Sequence, residues 1–97
     1  MQYNFEWDPN KNKENIRKHR VSFERAATVF RDPKQISIFD DHHSEDEERW
    51  VTMGIDSSGT LRIVVHTFVP VSRTTYRIRI ISARKATKVE TAIYQQR

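Results

Sequence analysis

The chain has 97 residues, which predicts one small domain over residues 1–97. Its hydrophobic content of 36% allows that domain a single, small hydrophobic core. No segment approaches the roughly 18 apolar residues of a membrane span, residues 1–9 lack the pattern of a signal peptide, and without cysteine there is neither a disulfide framework nor a cysteine-ligated zinc site. These absences predict a cytoplasmic protein with no membrane contact. The net charge of +4 conceals a strongly basic C-terminal part, since residues 59–97 hold eight Lys or Arg residues and one acid. This asymmetry predicts a polyanionic partner such as nucleic acid.

The first 20 residues predict a short strand and a surface helix. Apolar and polar residues alternate over residues 3–7, which is the period of a half-buried strand. Asp8 is a good N-cap and Pro9 suits the first helical position, so a helix begins here and runs to about His19. Ile16 is its only strongly apolar residue, and we therefore expect this helix to lie on the surface.

A second helix, with a more apolar face, follows after a short turn. Ser22 is its expected N-cap, and the helix ends near Asp32 and Pro33. Four apolar residues recur at the spacing of one helical face: Phe23, Ala26, Ala27 and Phe30. This face is expected to pack against a sheet.

The rest of the chain predicts that sheet and a closing helix. Four stretches have the period of strands, and a turn at residues 56–59 and an exposed loop at residues 70–75 join them as an antiparallel meander: 36–39, 50–55, 61–69 and 76–81. Thr87 and Glu90 form a capping box that starts a helix running to about Gln95. The predicted fold class is α+β, with two N-terminal helices, a four-stranded antiparallel sheet and a C-terminal helix.

The fourth strand carries the main candidate site. Alternation places Ile78 and Ile80 against the helices. Arg77 and Arg79 then lie, with Ile81, on the opposite, open face of the sheet. If the more apolar residues of the third strand also face the core, Arg62 and His66 join them. The prediction is therefore a basic platform that contains one histidine.

This platform has the groups that metal-free RNA cleavage needs. Guanidinium groups bind phosphate bidentately, a hydroxyl can donate to a phosphate oxygen, and histidine can move protons near neutral pH, while the ribose 2′-hydroxyl itself attacks the phosphate. A lone strand histidine is more often structural, and that alternative stays open. We assign catalysis to His66, Arg77, Arg79, Ser82 and Arg84. We assign RNA binding to Arg62, Lys85 and Lys88.

Other features of the sequence offer little for chemistry. Residues 40–48 hold six acids, including Glu45 and Asp46, and no base. The adjacent Asp and His residues at 40–43 point in different directions, and no second spaced cluster completes a metal site, so a solvated acidic loop without metal is expected. Two glycines cannot build a glycine-rich phosphate loop, and we expect no nucleotide cofactor.

Several motifs resemble the BrnT family, the toxins of BrnT/BrnA type II toxin-antitoxin modules, which have a fold like that of the RelE ribonuclease toxins. The resemblance runs through Phe5-Glu6-Trp7-Asp8, residues 15–19 and 21–26, Glu48-Arg49-Trp50 and His66-Thr67, and is most specific over residues 77–87, Arg-Ile-Arg-Ile-Ile-Ser-Ala-Arg-Lys-Ala-Thr. Two departures stand out. Arg20 replaces a usual glycine between the first two helices, and the loop at residues 69–75 is longer than usual.

The resemblance implies a function that the residues alone do not. It implies cleavage of mRNA, free or on the ribosome, which arrests translation, and neutralisation by a cognate BrnA-like antitoxin with a DNA-binding domain. The alternatives are an RNA-binding inhibitor of translation without chemistry, and a protein-interaction module whose basic face docks on an acidic partner.

Overall fold

The computed structural model describes residues 1–44 and 47–96, which form a mixed sheet of six strands with three α-helices. Glu45, Asp46 and Arg97 lie outside the described residues. The elements, in chain order, are β1 (Gln2–Glu6), α1 (Pro9–His19), α2 (Phe23–Ala27) with a 3-10 turn (Thr28–Arg31), β2 (Ile36–Phe39), a 3-10 turn (Asp41–His43), β3 (Arg49–Ile55), β4 (Leu61–Thr67), β5 (Val69–Pro70), β6 (Thr75–Lys85) and α3 (Lys88–Gln95). No helix within these described ranges is long and apolar enough to cross a membrane.

The predicted helix starts are confirmed by their capping contacts. The Asp8 carboxylate accepts a hydrogen bond from the Asn10 amide at 2.8 Å, and Pro9 is the first residue of α1. The Ser22 hydroxyl accepts from the Arg25 amide at 3.1 Å. Thr87 forms the predicted capping box at the start of α3. Each cap satisfies amides that the first helical turn leaves without partners, which is why these boundaries can be read locally.

Arg20 ends α1 in the left-handed region, with φ 60° and ψ 28°. Its amide donates to the Ile16 carbonyl at 2.9 Å, so the turn keeps the geometry of a glycine cap although the residue carries a side chain. A non-glycine residue in this conformation costs on the order of 1 kcal/mol.

The sheet is larger than the predicted four antiparallel strands. Its order is β1-β6-β4-β3-β2, with β5 also on β6, and β1 runs parallel to β6. The predicted third strand is divided into β4 and β5, and the predicted fourth strand extends to residues 75–85. The predicted four-stranded antiparallel meander is therefore wrong, and the sheet is mixed and has six strands. The parallel pairing joins β1 near the start of the chain to β6 near its end, and no local sequence pattern encodes such a pairing.

The core lies between the sheet and α2 with its 3-10 turn. Phe23, Val29 and Val64 are fully buried there, and Ile78 and Ile80 reach them from β6, as predicted. We call this side of the sheet the helix face and the other side the open face. The faces of β4 are the reverse of the prediction, since Val64 belongs to the core.

A side-chain amide holds α1 against the sheet where β1 ends. Asn15 donates to the carbonyls of Ala83 at 2.9 Å and Val21 at 3.0 Å, and its oxygen accepts from the Ala83 amide at 3.1 Å. The amide thus continues the hydrogen bonding that β1 supplies to the first half of β6. Three satisfied contacts on a buried side chain fix the position of α1 relative to β6.

Candidate functional site

The two arginines in the middle of β6 lie on the open face, as the alternation predicts. Ile78 and Ile80 are 0% and 1% exposed on the helix face, whereas Arg77 is exposed and Arg79 half-buried. Because β1 and β4 pair with β6 from either side, the backbone that carries both guanidinium groups is held in a regular strand. The site therefore has a rigid base.

The Arg79 side chain contacts the acidic loop. Its Nη2 forms an ion pair with the Glu47 carboxylate, and both side chains are partly exposed. The Arg79 amide donates to the Thr67 hydroxyl at 3.1 Å. A carboxylate therefore lies where a phosphate oxygen would contact this guanidinium group.

A bulge in β6 places Ser82 and Arg84 on the same open face. His66 pairs with Ile80 but Val65 pairs with Ser82, so Ile81 is an extra residue in the strand. Ala83 is consequently buried in the core beside Ile80, and its two neighbours face the other way.

Arg84 is tied to α3 by a bidentate ion pair. Its Nη1 and Nη2 donate to the two carboxylate oxygens of Glu90 at 2.8 and 2.9 Å. The hydrogen bonds from Arg84 lower the pKa of Glu90 to about 2, and the same contact raises the pKa of Arg84. Lys85 and Lys88 are exposed on either side of this pair, at the end of β6 and the start of α3.

The prediction that Arg62 and His66 lie on the open face is wrong. Arg62 is 8% exposed, and its Nε donates to the Asp56 carboxylate at 2.8 Å. His66 is 2% exposed and packs edge-to-face against Phe30 of the 3-10 turn, with ring centroids 4.8 Å apart. Both polar side chains are buried on the helix face because each has hydrogen-bond partners there, so apolar content alone misassigns the faces of β4.

The imidazole of His66 belongs to a buried hydrogen-bond chain. Its Nδ1 lies 2.8 Å from the Thr67 carbonyl oxygen, which can only accept, so Nδ1 carries the proton and Nε2 accepts from the Thr52 hydroxyl at 2.6 Å. The Ser37 hydroxyl in turn lies 2.7 Å from that of Thr52. Burial lowers the pKa of His66 to about 4, although the Thr67 carbonyl opposes the shift. The imidazole is therefore neutral at pH 7 and separated from the arginines by the sheet.

The acidic loop agrees with the expected solvated segment in the part that the structure describes. Asp40 accepts from His43 Nδ1 at 2.9 Å, in a short 3-10 turn on the surface. The predicted acids Glu45 and Asp46 lie outside the described residues.

Sequence reasoning missed a polar cavity next to Ser82. It has a volume of about 190 Å³ and is lined by Lys11, Glu14, Asn15, Lys18, His19, Ile81 and Ser82. The signal that could have found it is the helical spacing of 11, 14, 15, 18 and 19, which forms one face of α1. That spacing does not identify the strand on the other side of the cavity, which is known only from the contacts of Asn15 with β6.

A second cavity opens on the helix face beside His66. It measures about 250 Å³, and its walls are largely aromatic: Tyr3, Phe30, Gln35, Ser37, Trp50, His66 and Phe68. Sequence reasoning did not anticipate it, because its residues come from four strands, the 3-10 turn after α2 and two connecting segments.

Comparison with known proteins agrees with this architecture. The sequence model described as the ribonuclease toxin BrnT of type II toxin-antitoxin systems matches residues 7–90. The fold is similar to that of the Brucella abortus ribonuclease toxin BrnT in its crystal structure, with a TM-score of 0.61 and 19% identity over 91% of this chain and 100% of that chain. No curated protein matches the chain. Since the family match spans most of its length, the chain belongs to the BrnT family of ribonuclease toxins of type II toxin-antitoxin systems.

Proposed function

We propose that this chain is an endoribonuclease that cleaves mRNA without a metal ion and thereby arrests translation. The observation that carries the proposal is the row of cationic and hydroxyl side chains on the open face of β6, in a member of a ribonuclease toxin family: Arg77, Arg79, Ser82 and Arg84. An exposed strand face can receive an extended single strand of RNA. The guanidinium groups would bind its phosphates and balance their charge.

The proposed chemistry uses the RNA's own 2′-hydroxyl. Its oxygen attacks the adjacent phosphorus, the bond to the 5′-oxygen breaks, and the products are a cyclic phosphate and a new 5′-hydroxyl. The 2′-hydroxyl loses a proton and the leaving 5′-oxygen gains one. Arg77 and Arg79 would neutralise the charge that develops on the phosphate, and Ser82 would donate a hydrogen bond to one of its oxygens.

Two of the groups that we assign from sequence have other roles in this proposal. His66 is buried on the helix face, so we propose that it supports the sheet and does not move a proton. Arg62 is similarly engaged with Asp56. Arg84, whose charge is balanced by Glu90, would hold the end of the row against α3, and Lys85 and Lys88 beside it would supply positive charge.

The activity is tested with purified protein and RNA in excess chelator. We expect cleavage of RNA, either free or on translating ribosomes, to continue when divalent ions are removed. Arg79→Ala prepared in parallel controls for contaminating nucleases. Intact RNA in both assays would contradict the endoribonuclease, and cleavage that stops only with chelator would contradict metal independence. Binding of RNA without any cleavage would favour the translation inhibitor that lacks chemistry.

We further propose that a cognate BrnA-like antitoxin neutralises the toxin in the cytoplasm by covering the open face. Two apolar side chains of α3, Val89 and Ile93, are 71% and 52% exposed one helical turn apart, close to the Arg84–Glu90 pair. Apolar surface beside a basic row suits a partner that offers both apolar and acidic groups. Such a partner binds only the folded toxin and would also stabilise it.

Hydrogen exchange with and without the antitoxin tests this arrangement. We expect added protection over residues 76–87 and in α3, and unchanged exchange in α2 on the other side of the sheet. If residues 76–87 exchange equally in both states, inhibition does not act by covering the arginines.

A further inference from the structure

The cavity between α1 and β6 has features of a second anion site. Ile81 and Ser82, two and three residues after Arg79 in β6, form its strand side, and five residues of α1 form its helix side. Ser82 lies three residues beyond Arg79, which is roughly 10 Å along a strand. The cavity therefore continues the arginine row and is not a separate patch.

The helix that carries the cationic groups of the cavity is held against β6 by Asn15. Lys11 lies four residues before Asn15 and Lys18 three residues after it, so both are on its face of the helix. The Asn15 amide is bonded to both backbone groups of Ala83, the residue next to Ser82. Helix and strand cannot slide past each other without breaking these buried bonds, so the backbone positions of both lysines stay fixed relative to Ser82.

The single carboxylate in the cavity does not cancel its positive charge. Glu14 is shared by Arg17 and by Lys18, whose Nζ lies 3.5 Å from the Glu14 oxygen. Among the ion pairs of the described residues, none involves Lys11. His19 adds an exposed ring that can donate a hydrogen bond. An anion that enters the cavity therefore meets more cations than the carboxylate offsets.

We propose that this cavity is a phosphate-binding subsite for the RNA backbone, in which Lys11 and Lys18 hold a phosphate next to the one on the arginine row. The inference rests on the proposed function and extends the RNA track from β6 onto α1. Because the cavity is continuous with the row, an RNA strand is a better occupant than an isolated small anion. The subsite would position the strand, and the bond cleavage itself would stay with the β6 residues.

Lysine substitutions on α1 distinguish a phosphate contact inside the cavity from nonspecific electrostatic attraction between RNA and the protein surface. Lys11→Ala and Lys18→Ala remove lining groups, while Lys13→Ala removes an exposed lysine of the same helix that does not line the cavity. The probe is a single-stranded RNA with 2′-O-methyl groups, which cannot be cleaved. Its affinity is measured over a series of salt concentrations, with thermal unfolding as the folding control.

Loss of one phosphate contact should reduce the slope of log affinity against log salt by about 0.7 for each lining lysine. That change corresponds to about fivefold weaker binding near 0.1 M salt if the affinities converge near 1 M. Lys13→Ala should leave the slope at the wild-type value. Equal slopes in all three variants would overturn the subsite. Unmodified RNA is tested with the same wild-type preparation. If it is cleaved, the proposed ribonuclease stands even when the subsite is wrong. If the wild type neither binds nor cleaves RNA, both proposals are wrong.

Discussion

Replacing Arg79 by Lys should slow RNA cleavage by about a hundredfold or more while RNA affinity changes little. Lysine keeps the positive charge but loses the planar guanidinium fork that contacts two phosphate oxygens at once. Removing one preorganised donor from the charge that develops in a transition state typically costs about that much in rate. General attraction to the RNA backbone depends mainly on charge and should persist.

Arg79 is the residue to test because its strand position is fixed while its guanidinium group is open to an oxyanion. Ile78 and Ile80 anchor the strand on both sides of it in the core, and its amide is bonded to Thr67 on β4. Its guanidinium group already binds a carboxylate, that of Glu47, which shows that the fork is accessible to an oxyanion. Arg84, by contrast, has both of its outer nitrogens committed to Glu90.

Matched variants make the Arg79 result decisive. Arg73→Lys applies the same chemical change to an exposed arginine in the loop before β6 and should cleave at the wild-type rate. Arg79→Ala removes both charge and fork, so it should lose cleavage and also weaken RNA binding. Rates are measured together with affinity for uncleavable RNA and with thermal unfolding. A wild-type rate in Arg79→Lys would place the scissile phosphate elsewhere on the protein.

The features of the fold that sequence predicts well are those set within a few residues. The capping groups Asp8, Ser22 and Thr87 satisfy amides two or three positions away, so their helices can be located without knowledge of the rest of the chain. The alternation of Arg77 and Arg79 with the isoleucines of β6 is equally local, and it was enough to place the arginine row on the open face.

The features that sequence mispredicts depend on which side chains and strands meet once the sheet has formed. Either face of β4 contains apolar residues, and the choice between them is decided by which polar residues find partners when buried. Arg62 is satisfied by Asp56 and His66 by Thr52, and these pairings exist only after β3 and β4 have come together. The bulge at Ile81 likewise follows from strand pairing, and without it Ser82 and Arg84 would face the core.

The position of α1 shows the same limit at the candidate site. Its lysines look like an ordinary solvated helix surface in the sequence. Only the contact of Asn15 with Ala83, 68 positions away, brings Lys11 and Lys18 beside Ser82. The periodicity of a charged helix does not reveal which strand the helix will pack against.

Burial of His66 predicts that the protein loses stability as the pH falls below about 6.5. The folded pKa of about 4 is below the ordinary value of 6.5, because the charged imidazole is disfavoured inside the protein. Between these two values the unfolded chain binds a proton that the folded chain does not, so the free energy of unfolding rises with pH and falls on acidification. The slope should be on the order of 1 kcal/mol per pH unit, and about 3 kcal/mol in total.

The measurement is best made between pH 6.5 and 5, since other groups contribute at lower pH. Glu90 has a pKa lowered to about 2, and its stabilisation is present above its ordinary value of 4.5 and lost below it. Urea unfolding at several pH values should show the slope in the wild type and in His42→Gln, which changes an exposed histidine of the acidic loop. His66→Gln should lack it.

A titration of the His66 ring, followed by its NMR resonances, distinguishes burial of this histidine from other causes of instability at low pH. The ring resonances of His66 should remain those of a neutral imidazole down to about pH 5, because protonation would place a charge between Phe30 and the Thr52 hydroxyl without a carboxylate partner. If the ring instead titrates near 6.5 in the folded protein, His66 is accessible to water and its exclusion from proton transfer is wrong. If it stays neutral, the proposed cleavage has to take its proton-transfer groups from the open face of the sheet.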